Sequence, residues 1–374
     1  MRAGAFHLTY CTNIHAGESW AEVRGTLDTI LPRVRAHMSV DGPFGIGLRL
    51  SAAASAALAQ PHALAEFQSF LAEHNYYVFT INGFPYGAFH GERVKEHVYL
   101  PDWRDPRRVA YSNQLAEILA ALLPDDMPSG SVSTVPGAFK GHIEGAHDVE
   151  AVAAGIREHA AALRALHART GRRIQLALEP EPSCLIETIE ESVDFFDRHL
   201  ADAWMRDYVG LCVDTCHMAV EYEDPTTVAT RLRSAGIAMV KVQVSSALDV
   251  HGPEAIAALG AFADDTYLHQ VVQQDGTTLK RFTDLPEALG NGDVLDHAAC
   301  RVHFHVPLFM DRLGALRTTQ PFVQAFLREL RTSGGCNQLE VETYTWDVLP
   351  EEHRRVDVAT AIARELAWVR DQLV

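Results

Sequence analysis

The chain reads as an α/β protein, a (β/α)8 TIM barrel with a large insertion after its seventh strand, and three observations carry that reading. Short apolar runs alternate with amphipathic helical stretches almost from end to end. The runs are apolar on both faces, as parallel strands covered by helices must be. Four of the later runs end in a residue able to hold a hard cation, at the end of the strand where such barrels build their sites.

In chain order, strands are predicted at 5–10, 45–50, 76–81, 130–134, 174–179, 208–213, 238–243 and 338–342. Helical patterns lie near 18–37, 61–74, 105–123, 147–169, 187–199, 225–234 and 319–333, with a last one at 357–372. Ser19 and Glu22 fit a capping box, and Pro106 and Pro321 stand near the starts of the third and seventh helices. Residues 244–318 separate the seventh strand from its helix. They contain Tyr267-Leu-His-Gln270, a turn at Asp275-Gly276 and Arg301-Val-His-Phe-His-Val-Pro307. Connections of that length are commonly functional, and the alternation through His303, Phe304 and His305 predicts a small extra hairpin or lid. No repeat, low-complexity tract or linker divides the chain. A single barrel domain over 1–374, interrupted by 244–318, is therefore expected.

With 374 residues, 47% hydrophobic and 22% charged, the composition is that of a globular protein. No apolar run reaches the roughly 18 residues that a membrane span needs. Residues 1–7 lack the apolar centre of a signal peptide, so a cytoplasmic location is expected. The net charge of −17, from 49 acidic against 32 basic residues, repels phosphate backbones and argues against nucleic acid as a partner. Six scattered cysteines do not make a disulfide framework. Cys212 and Cys216 flank Asp214, but no second cysteine pair follows to complete a structural zinc site.

The chemistry concentrates at strand ends. Leu176-Ala-Leu-Glu179, Leu211-Cys-Val-Asp214, Val240-Lys-Val-Gln243 and Leu339-Glu-Val-Glu342 each finish on a possible ligand. Three carboxylates and one amide oxygen form a hard set suited to a divalent metal ion (Mn, Mg, Fe, Co or Zn). A carboxylate at such a point can instead cap the next helix, so it is the recurrence at four successive units that favours a shared cation. Glu181 and Glu340 are the competing carboxylates, one beyond Pro180 and one a layer deeper. His217, His303 and His305 form a second cluster, read as a second metal site or as contacts to substrate hydroxyls, with His269 as a further member. Loops after the early strands offer Asn13, His15, Asn82, Phe84 and Lys140 for substrate binding, with Tyr86 and Phe139 beside them. The chain has only four lysines, and Lys241 shares inward parity with Gln243, so it should pair with a carboxylate or face an anion.

Leu178-Glu179, Val213-Asp-Thr-Cys-His217 and Val341-Glu-Thr343 resemble the ligand-bearing strand ends of the xylose-isomerase-like TIM barrel superfamily. Four further stretches are similar to one branch of it, the EboE-like metabolite traffic proteins. They are His7-Leu-Thr-Tyr-Cys-Thr-Asn-Ile-His15, Tyr267-Leu-His-Gln270, Val302-His-Phe-His-Val-Pro307 and Glu340-Val-Glu-Thr-Tyr-Thr345. The genes of that branch stand beside a prenyltransferase and a sugar-phosphate-cyclase-like enzyme, which implies a sugar- or cyclitol-derived metabolite. Two departures matter. Gln243 stands where the superfamily has histidine on strand seven, and Asn82 and Thr134 replace histidines that endonuclease IV uses for a third metal. His217 with His303 and His305 resembles the outer metal position of that enzyme, so one or two metals are implied, not three.

The resulting expectation is a metal-dependent isomerase or epimerase acting on a small polyhydroxylated metabolite through an enediolate. Glu179 and Glu342 would be the acid–base pair and His217 would orient a hydroxyl. The alternatives are a two-metal hydrolase or lyase of the endonuclease IV type and a non-catalytic metabolite-binding protein.

Overall fold

The computed structural model describes residues 1–90, 93–290, 299–351 and 354–374. Eight parallel strands form its centre: Phe6–Tyr10, Phe44–Arg49, Tyr76–Asn82, Ser129–Thr134, Arg173–Leu178, Val209–Asp214, Met239–Val244 and Gln338–Val341. Each lies within about two residues of its predicted position. They run in sequential order around a ring, with Arg2–Ala3 pairing antiparallel outside the first strand. The eighth strand joins the first in parallel register (Leu339 opposite Leu8). The first and second strands meet at a parallel bridge between Cys11 and Gly47. Two side-chain bonds reinforce that join: Thr9 Oγ1 donates to the Gly45 carbonyl at 2.8 Å, and Arg49 N–H donates to Thr12 Oγ1 at 2.8 Å. The result is a (β/α)8 barrel.

Local chemistry explains the helices around it. Ser19 and Glu22 form the predicted reciprocal cap at the start of Trp20–Met38, and Thr188 with Glu191 does the same for Ile189–His199. Pro106 opens Pro106–Leu122 behind Asp105, whose carboxylate accepts from Arg107 N–H. Among the described residues outside the insertion, two short helices were not expected, Ala52–Leu58 and Thr215–Val220. The second exists because Asp214, the last residue of its strand, is also its N-cap.

Between Val244 and Gln320 the chain builds more than a hairpin. Six short strands form a separate antiparallel sheet, in the order Thr278–Phe282, Val271–Asp275, Ala299–Val302, Leu248–Val250, Leu316–Thr318 and Arg312–Leu313. Residues 291–298 of the expected insertion lie outside the described residues. His303, Phe304 and His305 follow the Ala299–Val302 strand and are not part of it. The main apolar core packs the strands against the surrounding helices, with Leu8, Ile46, Val78, Leu176, Leu211 and Val242 fully buried, while Ala177 and Cys212 belong to a separate small cluster. No helix among the described residues is long and apolar enough to cross a membrane.

Candidate functional site

The C-terminal ends of strands five to eight converge. Glu179 follows the fifth strand, Asp214 ends the sixth, Gln243 lies near the end of the seventh, and Glu342 follows the eighth. All four are buried. Ligand oxygens of Glu179, Asp214 and Glu342 lie within 4.8 Å of one another. Asp214 Oδ1 accepts from Cys216 N–H (2.7 Å), His217 N–H (3.0 Å) and Ser245 Oγ (2.6 Å), which leaves Oδ2 for the centre. Glu342 Oε1 accepts from three amides at once: Asn13 Nδ2 (2.7 Å), Asn82 Nδ2 (3.0 Å) and Gln243 Nε2 (3.2 Å). Asn82 is held in that orientation because its Oδ1 accepts from Phe84 N–H at 3.1 Å.

What is left over tests whether a cation fits. Glu179 Oε2, Asp214 Oδ2 and Gln243 Oε1 are buried acceptors with no hydrogen-bond donor. Buried acceptors without partners are rare in folded proteins. The Glu179 and Asp214 oxygens converge, and Gln243 stands opposite Asp214 on the next strand and bonds Glu342, so the three offer oxygens to a divalent cation of the oxygen-preferring kind. Gln243 thus offers an oxygen to the centre while its NH2 restrains Glu342.

The charges agree. Burial, then the neighbouring Asp214, pushes the Glu179 carboxyl up to about 8. Burial, then Glu179, Asp214 and Glu340, holds Glu342 well above the carboxylate range. Burial opposes ionisation of Asp214 too, but His217, His305 and the donated hydrogen bonds outweigh it and keep that group low. Beneath this layer Lys241, fully buried, pairs with Glu340 at 2.5 Å and donates to Ser133 Oγ at 3.1 Å. Gly47 makes room for that pair, since a methyl there would lie 1.8 Å from Glu340 Oε1.

The histidine cluster stands beside the carboxylates. His217 Nδ1 faces the Pro180 carbonyl (2.9 Å), His303 Nδ1 the Gln270 Oε1 (2.6 Å) and His305 Nδ1 the Glu342 carbonyl (2.8 Å). Each acceptor puts the ring proton on Nδ1, so the Nε2 lone pairs point inward. His217 Nε2 and His303 Nε2 are 3.2 Å apart, and His305 Nε2 has no partner. Two lone pairs do not bond each other, so a proton or a cation must lie between His217 and His303. Burial disfavours an imidazolium at His217, yet Asp214, Glu181 and Glu179 raise that group above its ordinary value. Burial lowers His303 well below the usual range and His305 to about 4. Ligand atoms of Glu181, His217 and His303 lie within 4.8 Å of one another, as do those of Asp214, His217 and His305.

Above the two clusters is a narrow cavity of about 40 Å³. Asn13, Phe84, Glu179, Glu181, His217, His303 and Glu342 line it. Asn82 acts from behind, through Glu342 and the Phe84 backbone. Other predicted residues are not brought there. His15 bonds the Tyr10 hydroxyl (3.2 Å) and faces a separate small cavity with Thr12 and Arg49. Lys140 turns outward to Glu187 and Glu191. Lys241 lies a layer below. His269 has both nitrogens engaged, on the His303 carbonyl (2.9 Å) and on Asp264, so it supports the histidine loop from behind.

Tyr99, Tyr267 and Tyr344 also line the cavity and were not anticipated as site residues. Tyr99 donates to Glu181 Oε1 at 2.7 Å, which makes Glu181 part of the site rather than a distant support. Tyr267 and Tyr344 both stand in stretches that carried the resemblance, whereas Tyr99 had no such signal.

Comparison with known proteins fits this geometry. The family model for xylose isomerase-like TIM barrels matches residues 49–305. A xylose isomerase-like TIM barrel protein from Mycobacterium smegmatis, solved in complex with magnesium, shares 14% identity at a TM-score of 0.55 over 100% of this chain and 98% of that one. The IOLI protein with a bound zinc atom (13% identity) and a D-tagatose 3-epimerase-like protein (11%) each give a TM-score of 0.50 over 98% of this chain and 97% of theirs. At these identities the likeness is one of fold. No curated protein matches at a significant level. The strand ends, the converging carboxylates and the matched family model lead to one statement: the chain belongs to the xylose isomerase-like TIM barrel family.

Proposed function

We propose that this protein is a metal-dependent isomerase or epimerase whose substrate carries a carbonyl beside a hydroxyl, as sugars and cyclitols do. The observation that carries the reading is the convergence of Glu179, Asp214 and Glu342 with three unpartnered oxygens among Glu179, Asp214 and Gln243. Glu179, Asp214, Gln243 and Glu342 would hold Mn²⁺, Mg²⁺, Fe²⁺, Co²⁺ or Zn²⁺; solved relatives are described with magnesium and zinc, and one as epimerase-like. Such a cation polarises a carbonyl and lowers the cost of the enediolate formed when the adjacent C–H is deprotonated.

The protein's own groups would do the rest. Glu342, its Oε1 fixed by three amides, takes the proton from the carbon that bears the hydroxyl. Glu179 returns one from the other side. His217 orients the hydroxyl. One proton leaves carbon and one arrives, so the reaction needs no redox partner.

The 3.2 Å approach of His217 Nε2 and His303 Nε2 favours a second reading, a two-cation hydrolase with the second ion on His217, His303 and His305. Elemental analysis together with solvent deuterium exchange separates the two. One ion per chain with deuterium incorporation into a hydroxy ketone is expected. Glu342→Gln should abolish incorporation while sparing the fold, and full incorporation in that variant would refute the assignment.

A further inference from the structure

The wall facing the carboxylates is apolar. Phe84, Phe89, Val98, Tyr99, Tyr267 and Tyr344 form it, packed ring against ring: Phe89 lies 5.2 Å from Tyr267 and 5.1 Å from Tyr344, and Phe84 lies 5.5 Å from Tyr99. Each tyrosine hydroxyl already has a partner, for Tyr99 and Tyr344 on residues that themselves line the cavity. Tyr99 donates to Glu181 and accepts from Gln270 Nε2 (3.1 Å), Tyr267 bonds His90 Nδ1 (2.9 Å), and Tyr344 faces His303 Nε2 (3.5 Å). This wall therefore presents carbon to a ligand.

No free cation faces it. Among the described residues lining the cavity, Lys95 is the one lysine or arginine, and its ammonium is held by Asp284 Oδ2 (2.7 Å) and the Asp264 carbonyl (3.0 Å). The opposite wall carries Glu179, Glu181 and Glu342. A phosphate or carboxylate at the ligand's far end would lie against this wall with no free lysine or arginine to pair with, the proposed cation and His217 being at the head.

From this lining we infer that the substrate is an uncharged compound in two parts: a hydroxy-carbonyl head directed to Glu179 and Glu342, and a flat apolar ring lying against the aromatic wall. The inference rests on the isomerase reading for the head and goes beyond it for the body. A free sugar fits the head alone. Its remaining hydroxyls would meet Phe84, Phe89, Val98 and the engaged tyrosines, and each buried hydroxyl left unpaired costs roughly tenfold in affinity. A ring in the same place gains by leaving water.

Calorimetric titration of the full chain with manganese chloride present tests this with four probes: α-hydroxyacetophenone, hydroxyacetone, fructose and a fructose phosphate. The expected order has α-hydroxyacetophenone at least tenfold tighter than hydroxyacetone, which has the same head without the ring. Fructose should be no tighter than hydroxyacetone, and the phosphate should show no binding. Phe84→Ala should erase most of the gap between the first two, and Val98→Thr, which keeps the side-chain shape, should narrow it. Fructose or its phosphate binding as tightly as α-hydroxyacetophenone would overturn the apolar body and leave the hydroxy-carbonyl reading standing. Equal affinity of wild type and Glu342→Gln for every probe, or no binding of any, would overturn both.

Discussion

Asn13 Nδ2 donates to Glu342 Oε1 across 2.7 Å, joining the loop after the first strand to the end of the last. The bond is buried and its acceptor is the proposed base, so it fixes where that carboxylate points. Asn13→Ala should lower kcat by about 10- to 100-fold, the value of roughly 1.5–3 kcal/mol for a hydrogen bond to a charged group. KM and the melting temperature should change little. A loss confined to KM would show that Asn13 binds substrate instead.

Glu365 gives the protein a pH dependence that does not involve the proposed ligands. Its Oε1 accepts from Thr343 Oγ1 (2.7 Å) and Leu308 N–H (3.0 Å), yet burial prevails and raises the group to about 7. Between its unfolded value near 4.5 and 7 the folded state binds the proton and the unfolded state does not. The contribution is fully present below about 4.5 and is lost as pH rises through 7. Denaturant melts from pH 5 to 8 should show that decline, and Glu365→Gln should make it shallower, the remainder coming from Glu179 and Glu342.

The Lys241–Glu340 pair sits in the barrel with both side chains wholly inaccessible. Lys241→Met leaves a buried carboxylate without its partner and should destabilise by about 3–5 kcal/mol. Adding Glu340→Gln to Lys241→Met should recover a large part of that loss in the same urea titration. A double variant no more stable than the single one would mean that Lys241 acts mainly through packing.

Lys95 ties the segment after the third strand to the insertion, through Asp284 and the Asp264 carbonyl, and the Val94 and Lys95 N–H groups both donate to the Thr266 carbonyl. A cavity with room for only a few waters must widen to admit a metabolite. Lys95→Met should therefore raise the association rate of α-hydroxyacetophenone several-fold in stopped-flow measurements. An unchanged rate would show that entry is by another route.

The barrel was legible because each of its strands is a continuous apolar run bounded by helical periodicity, and ring closure then puts the strand ends together. Glu179, Asp214, Gln243 and Glu342 follow from that geometry alone. The insertion was not legible in the same way. Its strands run from two to five residues, and pairs such as Leu248 with Thr318 join positions 70 apart in sequence. His303 and His305 were expected on an extended segment. The chain instead turns after Val302, whose carbonyl accepts from Phe304 N–H at 2.8 Å, and the two rings still come within 5.2 Å of each other. Lys140 and His15 were placed by loop membership, and a loop's path decides which way a side chain turns. Lys140 found the carboxylates of Glu187 and Glu191 outside the cavity, and His15 found a hydroxyl at Tyr10.

The ring of strands has one thin seam, where Cys11 and Gly47 provide a lone bridge and Thr9 and Thr12 supply side-chain bonds in place of a full ladder. Transient opening will start there, and amide protons of the flanking residues will exchange with solvent sooner than those in the remaining staves. Asn13 is the next residue after Thr12, so every such breath loosens its grip on Glu342. Retention of the proposed ion would then depend on the integrity of the barrel wall.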